Sequence, residues 1–329
     1  MTALYDIAAI GNAIVDVIGP ADDAFLTAEG MGKGSMALVD EARATQIYER
    51  MNREMEASGG SAANTVAGVA SFGGSAVFIG KVARDPLGDL YVKDMAAIGA
   101  TFSGAPLVGG AATGRSMIMV TPDGERTMNT FLGAATELTA DDVDAALVEA
   151  SRTLYLEGYL FDPPEARRAF AKAAGLAHGS GRKIALTLSD AFVVDRHRGA
   201  LLGFIETQVD VLFANEAELM ALFETEDFAA ALAGLRGKVE IAAVTRGDKG
   251  SVVLTPQDDY VIPVDPVAKV VDTTGAGDQY AAGFLFGLAS ERSLAQCGAL
   301  GSLAAAEVIS HYGPRPAVSL KALARSRGL

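Results

Sequence analysis

The stretch VVDTTGAGDQYAAGFLFG, Val270 to Gly287, decides the fold because it joins a glycine turn to an apolar helix. Val270-Val271 is predicted to end a strand, and Gln279 to Ala289 has the composition of a buried helix. Between them, Gly275-Ala276-Gly277 carries almost no side chain, so a ligand can approach the main chain closely. The unpaired N–H groups at the start of a helix lie at the positive end of its dipole. The stretch therefore predicts an anion-binding turn between a strand and a helix.

Asp278 is a lone carboxylate in the first turn of this predicted helix. Two negative charges repel, so a carboxylate beside an anion site is an unusual choice for structure alone. It makes sense if Asp278 takes a proton from a hydroxyl group that attacks a bound phosphoryl group. The alternative is helix capping, in which Asp serves well and Gly is a common neighbour. The turn by itself leaves both interpretations open.

The composition limits the classes of partner. The chain has 329 residues, half of them hydrophobic, which is enough for one large α/β domain or for a domain with an appendage. Its 27 basic and 41 acidic residues give a formal charge of −14, which argues against a nucleic acid or an anionic membrane as partner. The single cysteine, Cys297, excludes an intrachain disulfide. We expect a cytoplasmic protein without a signal peptide or a membrane-spanning segment.

The order of predicted elements indicates the fold class. A buried strand at Tyr5–Ile10 comes first, and after Thr139 helices and strands alternate. This alternation predicts an α/β fold, a doubly wound and mainly parallel sheet with helices on both faces. Three later segments are predicted to be antiparallel strands that close one edge: Glu240–Thr245, Ser251–Thr255 and Tyr260–Val264. Hairpin-like pieces near 12–40 and 101–130 predict a small β appendage.

A second glycine signal lies in SGGSAANTVAG, where Gly59-Gly60 precedes a helix with Asn64 in its first turn. Such a pair lets a ligand hydroxyl reach the main chain, and Asn64 can both donate and accept hydrogen bonds. Asp16 lies in an apolar stretch, and a buried carboxylate needs partners. A vicinal diol, as on a sugar ring, offers two donors to it. The alternative for Asp16 is a pair with Lys or Arg.

Two further segments follow predicted strands. In DVLFANEAEL, Asn215, Glu216 and Glu218 offer oxygens that suit Mg²⁺, although they also suit an N-capped helix. In TRGDKGS, Thr245 to Ser251, the glycines could wrap phosphates or form a plain hairpin. The three histidines have no metal-ligand spacing, and neither a Walker motif nor a dinucleotide fingerprint occurs.

These motifs, in this order, resemble the PfkB (ribokinase-like) family of carbohydrate and nucleoside kinases. The resemblance covers the chain end to end, and DTTGAGDQYAAGF is its most specific part. It implies a single domain, 1–329, with a Rossmann-like α/β core and a small β-sheet lid formed by segments of about 12–40 and 101–130. It also implies ATP and Mg²⁺ as cofactors, K⁺ as a further cation and a small-molecule substrate. A homodimer formed through the lid is left open.

The resemblance also implies roles for individual residues. Asp278 is the base that deprotonates the acceptor hydroxyl, and Arg126 meets the phosphates from the lid. The anion hole for the transferred phosphoryl group is formed by the backbone of Gly275, Ala276 and Gly277. The substrate-binding candidates are Asn12, Ile14, Asp16, Gly59, Gly60, Asn64, Met128, Tyr159, Phe161 and Phe192. The ATP-site candidates are Asn215, Glu218, Thr245, Gly247, Gly250 and Ser302, of which Glu218 serves Mg²⁺ through water. The monovalent-cation candidates are Asp272 and Thr274.

The substrate branch is predicted from smaller signals. GNAIVDV, in which Asp16 follows Asn12 by four residues, resembles the opening of adenosine kinases, as do LYLEGYLFDPPE and LTLSDAFV with their aromatic residues. Thr274 and Thr187 depart from that branch, in which Asn is common, and DTTGAGD is frequent in sugar kinases. The first hypothesis is a kinase that acts on a primary hydroxyl of an adenosine-like nucleoside. The alternative is a kinase for fructose, ribose or 2-keto-3-deoxygluconate, and a catalytically silent binding protein is disfavoured because every motif is present.

Overall fold

The computed structural model describes residues 3–329, which form two β-sheets and the helices that cover them. The strands are β1 (Tyr5–Ile10), β2 (Ile14–Pro20), β3 (Met36–Leu38), β4 (Met55–Gly59), β5 (Ala76–Ile79), β6 (Thr101–Ser103), β7 (Gly114–Val120), β8 (Arg126–Phe131), β9 (Ser151–Glu157), β10 (Lys183–Thr187), β11 (Val211–Asn215), β12 (Ile241–Thr245), β13 (Ser251–Leu254) and β14 (Asp259–Ile262). The α-helices are α1 (Asp23–Ala28), α2 (Glu41–Arg50), α3 (Ser61–Ser71), α4 (Pro86–Ala97), α5 (Ala145–Glu149), α6 (Pro164–Gly179), α7 (Ala191–Gln208), α8 (Glu216–Leu222), α9 (Phe228–Leu235), α10 (Ala276–Ala289), α11 (Leu294–Val308) and α12 (Leu320–Ser326). Short 3-10 turns occur at Gly133–Glu137, Ala140–Asp142, Gly158–Phe161 and Gly247–Lys249.

The large sheet has nine strands in the order β14-β13-β12-β11-β10-β9-β1-β5-β6. Every neighbouring pair from β12 to β6 is parallel, whereas β13 and β14 run antiparallel at one edge. The predicted α/β fold with a mainly parallel sheet is confirmed. The predicted antiparallel strands at one edge are confirmed, since β12 pairs antiparallel with β13 and β13 pairs antiparallel with β14. On its other side β12 pairs parallel with β11, because α8 and α9 return the chain before β12.

The large sheet is buried on both faces. Ile7 and Ala9 of β1 belong to the core that includes Phe284 of α10, whereas Ala8 and Ile10 belong to the core that includes Phe170 of α6. This alternation follows from the period of two residues in a strand, and it explains why β1 is apolar throughout. No helix among residues 3–329 is both long and apolar enough to cross a membrane.

The second sheet has five strands in the order β3-β8-β7-β2-β4. It therefore draws on the two predicted segments, but it also includes β4, which the prediction left out. Thr101–Ser103 instead pairs with β5 at the edge of the large sheet. The Gly-, Thr- and Ser-rich composition indicated a β region here and did not indicate which sheet each strand would join.

The predicted strand at Val270–Val271 is wrong, because residues 263–275 form an irregular segment. Val270 is largely exposed, and the Val271 N–H donates to the carbonyl of Ile309 at the end of α11. A helix end provides no ladder of partners for a strand. The helix after the glycine turn begins at Ala276, earlier than the predicted Gln279.

Candidate active site

The carboxyl ends of several parallel strands meet at one edge of the large sheet. There β1 leads to Asn12, β9 ends at Glu157 and β11 ends at Asn215. In the large sheet, β1 lies between β5 on one side and β9 on the other. The connections between strands therefore run in opposite directions on the two sides of β1. Open α/β sheets bind ligands beyond the strand ends at such a point. This cleft is the candidate site.

The glycine turn at the start of α10 faces this cleft. Gly275 caps the helix with φ 78°, a left-handed conformation that favours glycine. A Cβ atom at Gly275 would lie 2.7 Å from Pro314, so the position also lacks room for a side chain. A Cβ atom at Gly277 would meet nothing within 4 Å, which leaves the main chain open to a ligand. An anion at this end of α10 would be stabilised by the helix dipole.

Asp278 lies in the first turn of α10 and accepts two hydrogen bonds from α3. Ser61 Oγ donates to Oδ1 at 2.6 Å, and Asn64 Nδ2 donates to Oδ2 at 3.2 Å. Poor solvation in the cleft raises the pKa of Asp278 to about 6, although both hydrogen bonds act to lower it. A carboxylate with a pKa near neutrality is suited to accept a proton in catalysis.

Asp16 lies on β2 with its carboxylate against the backbone of β4. A Cβ atom at Gly59 would be 2.3 Å from Asp16 Oδ2, so only glycine leaves room for this contact. Desolvation raises the pKa of Asp16 to about 6, and the positive charges of Arg315 and Arg126 act against that increase. Gly59 lies two residues before Ser61, whose hydroxyl contacts Asp278, so the two carboxylates share one cleft.

Glu157 was not predicted, yet it joins three parts of the site. Its Oε1 accepts a hydrogen bond from Asn12 Nδ2 at 2.7 Å, and its Oε2 accepts one from the Ala62 N–H at 2.9 Å. Burial raises the pKa of Glu157 to about 7. The signal available in the sequence was an acidic residue that ends the apolar strand LYLE. Glu157 fixes Asn12 against the first turn of α3.

Arg126 extends from β8 of the second sheet toward the loop before α10. Its Nη2 lies 2.7 Å from Asp272 Oδ2, and both side chains are buried. All three guanidinium nitrogens nevertheless lack a hydrogen-bond partner, so the contact is an ion pair without aligned hydrogen bonds. Asp272 also accepts hydrogen bonds from the N–H groups of Thr274 and Gly313, at 3.0 Å each. Met128 shares the strand face of Arg126, two residues further along β8.

The other predicted substrate positions lie nearby in the fold. Ile14 of β2 pairs with Gly59 of β4 in the antiparallel register. Gly60 precedes α3 with φ 97°. The sequence thus brings Asn12, Asp16, Gly59, Gly60, Asn64 and Asp278 to one cleft.

The predicted ATP-site residues lie further along the strand ends. Asn215 and Thr245 are register partners on β11 and β12, and Gly247 and Gly250 form the turn that follows β12. Ser302 lies on α11, where its Oγ donates to Pro263 O at 3.0 Å and accepts from the Asp265 N–H at 2.8 Å. Their roles in ATP binding stay predictions.

Glu218 forms a capping box with Asn215 at the start of α8. Its oxygens accept from Asn215 Nδ2 at 2.7 Å and from the Asn215 N–H at 3.0 Å, and desolvation raises the pKa of Glu218 to about 7. No cluster of three or more His, Cys, Asp or Glu side chains within residues 3–329 could hold a metal ion. A single carboxylate beside a strand end is a donor that suits a hydrated Mg²⁺, and the role of Glu218 in binding this ion through water stays a prediction.

The three predicted aromatic residues occupy different environments. Tyr159 is partly buried, and burial together with the charges of Asp190, Glu157 and Asp278 raises the pKa of its hydroxyl. Phe161 is in the core, in edge contact with Phe170 at a centroid distance of 5.9 Å. Phe192 is 75% exposed at the start of α7. Of these three residues, Tyr159 is thus the one whose side chain is influenced by the charged groups of the cleft.

Sequence reasoning also missed Ser61 and Arg315. Ser61 follows the Gly59-Gly60 pair directly, so a hydroxyl at the start of a helix was the available signal. Arg315 lies in the loop after α11, which contains no motif that was singled out.

The arrangement combines a carboxylate with a raised pKa, an open helix N-terminus and polar groups that are able to accept hydrogen bonds. These features define a phosphotransferase that acts on an alcohol.

Comparisons with known proteins agree with this class. The family model described as pfkB family carbohydrate kinase matches residues 6–320, and the chain belongs to this family of ATP-dependent phosphotransferases. The solved structure of adenosine kinase from Sinorhizobium meliloti is 51% identical, with 99% of this chain and 100% of that chain covered and a TM-score of 0.92. A probable sugar kinase from Rhizobium etli CFN 42 is 46% identical, with 99% of each chain covered and a TM-score of 0.93. An ATP-dependent ribose-1-phosphate kinase from Halopiger xanaduensis is 31% identical over 77% of this chain and 81% of that protein. The predicted family and its adenosine kinase-like branch are confirmed.

Ser61 gives a test of how Asp278 is tuned. Ser61→Ala removes a donor that stabilises the ionised carboxylate, so the pKa of Asp278 should rise above about 6. We expect the acidic limb of the kcat–pH profile to move to higher pH by roughly half a unit to one unit, with the rate at pH 9 largely retained. Ser61→Thr keeps the hydroxyl and is the matched control. An unchanged acidic limb in Ser61→Ala would show that the hydroxyl does not tune the base.

Proposed function

We propose that the protein transfers the γ-phosphoryl group of ATP to the primary hydroxyl of an adenosine-like nucleoside. The observation that carries the proposal is the pairing of two carboxylates in one cleft, Asp278 beside the helix N-terminus and Asp16 against Gly59. Asp16 accepts hydrogen bonds from a ribose diol, while Asp278 faces the hydroxyl that attacks. The adenosine kinase from Sinorhizobium meliloti, at 51% identity over the whole chain, supports the nucleoside.

The chemistry assigned to the chain is positioning, proton transfer and charge stabilisation. Asp278 takes the proton of the attacking hydroxyl. The backbone N–H groups of Gly275, Ala276 and Gly277 stabilise the negative charge of the transferred phosphoryl group. Mg²⁺ bound to the nucleotide neutralises phosphate charge, which matters in an acidic protein with few cations near these motifs. Asp272 and Thr274 are the proposed positions for a monovalent cation, although the Asp272 carboxylate already binds two N–H groups and Arg126.

The second sheet is proposed to act as the lid of the single domain. Its strands carry Asp16 and Arg126, so any movement of the sheet changes the distance between these side chains and α10. Closure would bring Arg126 from Asp272 to the transferred phosphoryl group. A homodimer through this sheet is proposed as well, supported by the exposed side chains of Met36 and Leu38 on its edge strand β3.

A free sugar is the second candidate. Two observations favour it: Phe192 is 75% exposed and Phe161 is in the core, so a base would have Tyr159 alone of these three aromatic residues beside it. The probable sugar kinase and the ribose-1-phosphate kinase among the relatives are compatible with this candidate. Measuring ADP release with a panel of nucleosides and sugars separates the two.

Asp278→Asn tests the proton acceptor. We expect turnover to fall by roughly 10²- to 10⁴-fold, because general-base catalysis contributes about that much. ATP affinity, measured by calorimetry, should stay near that of the wild type, since Asp278 is assigned to the acceptor. Near-normal kcat in a folded Asp278→Asn variant would remove the assignment.

Tyr159 tests the nucleoside against the sugar. Base–aromatic stacking contributes about 1–3 kcal/mol, so Tyr159→Ala should raise KM for the nucleoside by roughly 5- to 150-fold. Phe161→Ala is the matched control in the core, where we expect a loss of about 3–5 kcal/mol in stability and an unchanged KM. Efficient phosphorylation of a hexose or a keto-acid sugar by the wild type, with no nucleoside accepted, would contradict the nucleoside whatever the variants do.

A further inference from the structure

The loop from Ser310 to Val318, between α11 and α12, contacts both halves of the cleft. The Gly313 N–H donates to Asp272 Oδ2 at 3.0 Å, on the phosphoryl side. The Pro314 carbonyl accepts a hydrogen bond of 3.0 Å from Gln279 of α10. The buried Glu307 holds the end of the loop by accepting from the Ala317 N–H at 3.0 Å. The loop is therefore fixed to the catalytic helix before it presents Arg315.

Arg315 extends from this loop to the acceptor side. Its Nη1 donates to Asp94 Oδ2 at 3.0 Å, and its Nη2 donates to Ser58 Oγ at 2.7 Å. Its Nε lies 3.4 Å from Asn64 Oδ1, a long hydrogen bond. The Arg315 side chain is 17% exposed and that of Asp94 is 32% exposed, so water screens this ion pair in part. One guanidinium thus connects β4, α3 and α4 behind the candidate substrate pocket.

The contact with Asn64 has a consequence for the base. Because Oδ1 of Asn64 accepts from Arg315, the amide Nδ2 is the atom left to donate to Asp278. A reversed amide would place an oxygen against the Asp278 carboxylate. The guanidinium and the Asp278 carboxylate therefore favour the same orientation of the Asn64 amide.

Arg315 is also a source of positive charge near Asp16. Arg126 of β8 adds a second positive charge, whereas Asp278 of α10 is a negative neighbour, and the buried Tyr91 hydroxyl of α4 lies within reach of the same field. The two cations oppose the desolvation that raises the pKa of Asp16 to about 6. Loss of Arg315 should raise that pKa further.

We propose that Arg315 is a positioning residue for the acceptor alcohol: it places a positive charge near the Asp16 carboxylate and orients the Asn64 amide, so that both can bind the hydroxyl groups of the substrate. The proposal rests on the proposed function for the identity of the acceptor. It assigns Arg315 no contact with the reacting atoms. A protonated Asp16 would lose its capacity to accept two hydroxyl donors, so acceptor affinity should depend on pH through Arg315.

The test compares KM for the acceptor and for ATP from pH 5.5 to 9 in Arg315→Met, Arg315→Lys and the wild type. In Arg315→Met we expect the acidic rise in acceptor KM to move to higher pH by roughly one unit. Acceptor KM should be about 3- to 10-fold above the wild type at pH 6.5 and should approach it at pH 9. KM for ATP should not change. Arg315→Lys should restore most of the pH dependence, because it keeps the charge.

Two controls separate this role from a structural one. Arg43→Met removes another arginine paired with a buried carboxylate, Glu29, at 2.8 Å, and should change stability without moving the acceptor profile. If Arg315→Met does not fold, Asp94→Asn with Arg315→Met removes both charges of the pair and should show the same shift. An acceptor KM raised equally at all pH values, or not raised at all, overturns the proposal.

A readout without turnover keeps the proposal separate from the proposed function. Carbon-13 NMR titration of the Asp16 carboxyl, assigned with Asp16→Asn, should give a higher pKa in Arg315→Met than in the wild type. An unmoved titration overturns the proposal even if the protein is a kinase. Conversely, a wild type that phosphorylates no alcohol in the panel contradicts the proposed function, and the titration still decides the role of Arg315.

Discussion

Four carboxyl groups share one poorly solvated cleft, and the local structure around it is arranged to hold them there. Asp16, Glu157, Glu218 and Asp278 all have pKa values raised by desolvation. A carboxyl whose pKa is raised on folding binds its proton more tightly in the folded state. Its contribution to stability is therefore present below about pH 4 and is lost as the pH rises toward 6 or 7. At neutral pH the burial of these four carboxyl groups lowers the free energy of unfolding, a cost that is common at functional sites.

Hydrogen-bond donors of α3 and the carboxyl ends of the parallel strands hold these carboxyl groups together in the cleft. The first turn of α3 supplies Ser61, the Ala62 N–H and Asn64, which serve Asp278 and Glu157. The parallel strands deliver their carboxyl ends to the same edge, so groups far apart in sequence become neighbours. The loop of Ser310–Val318 then joins the phosphoryl side to the acceptor side through backbone groups and Arg315. The proposed substrate binding and the proposed proton transfer would therefore depend on the same short segments.

The sequence predicted the parts of this site that have a local signature. The glycine turn before α10, the Gly59-Gly60 pair and the alternation of strands and helices are each visible in a short window, and the structure contains all three. Glu157 and Arg315 were missed because their partners are distant: Glu157 contacts Ala62 across 95 positions and Arg315 contacts Asp94 across 221. The strand at Val270–Val271 was wrong for a related reason, since β-branched residues favour a strand only where a neighbouring strand can pair. Phe161 could not be distinguished from a pocket residue without knowing which helices cover it.

The position of the transferred phosphoryl group is the most direct test of the central claim. Proton-coupled phosphorus-31 NMR of the product formed from adenosine and ATP reports the carbon that bears the new ester. If Asp278 faces a primary hydroxyl while Asp16 holds the ribose diol, the product resonance should be a triplet, split by the two protons of the 5′ methylene group. A doublet, which indicates a secondary or anomeric ester, would contradict this geometry, as would release of inorganic phosphate alone.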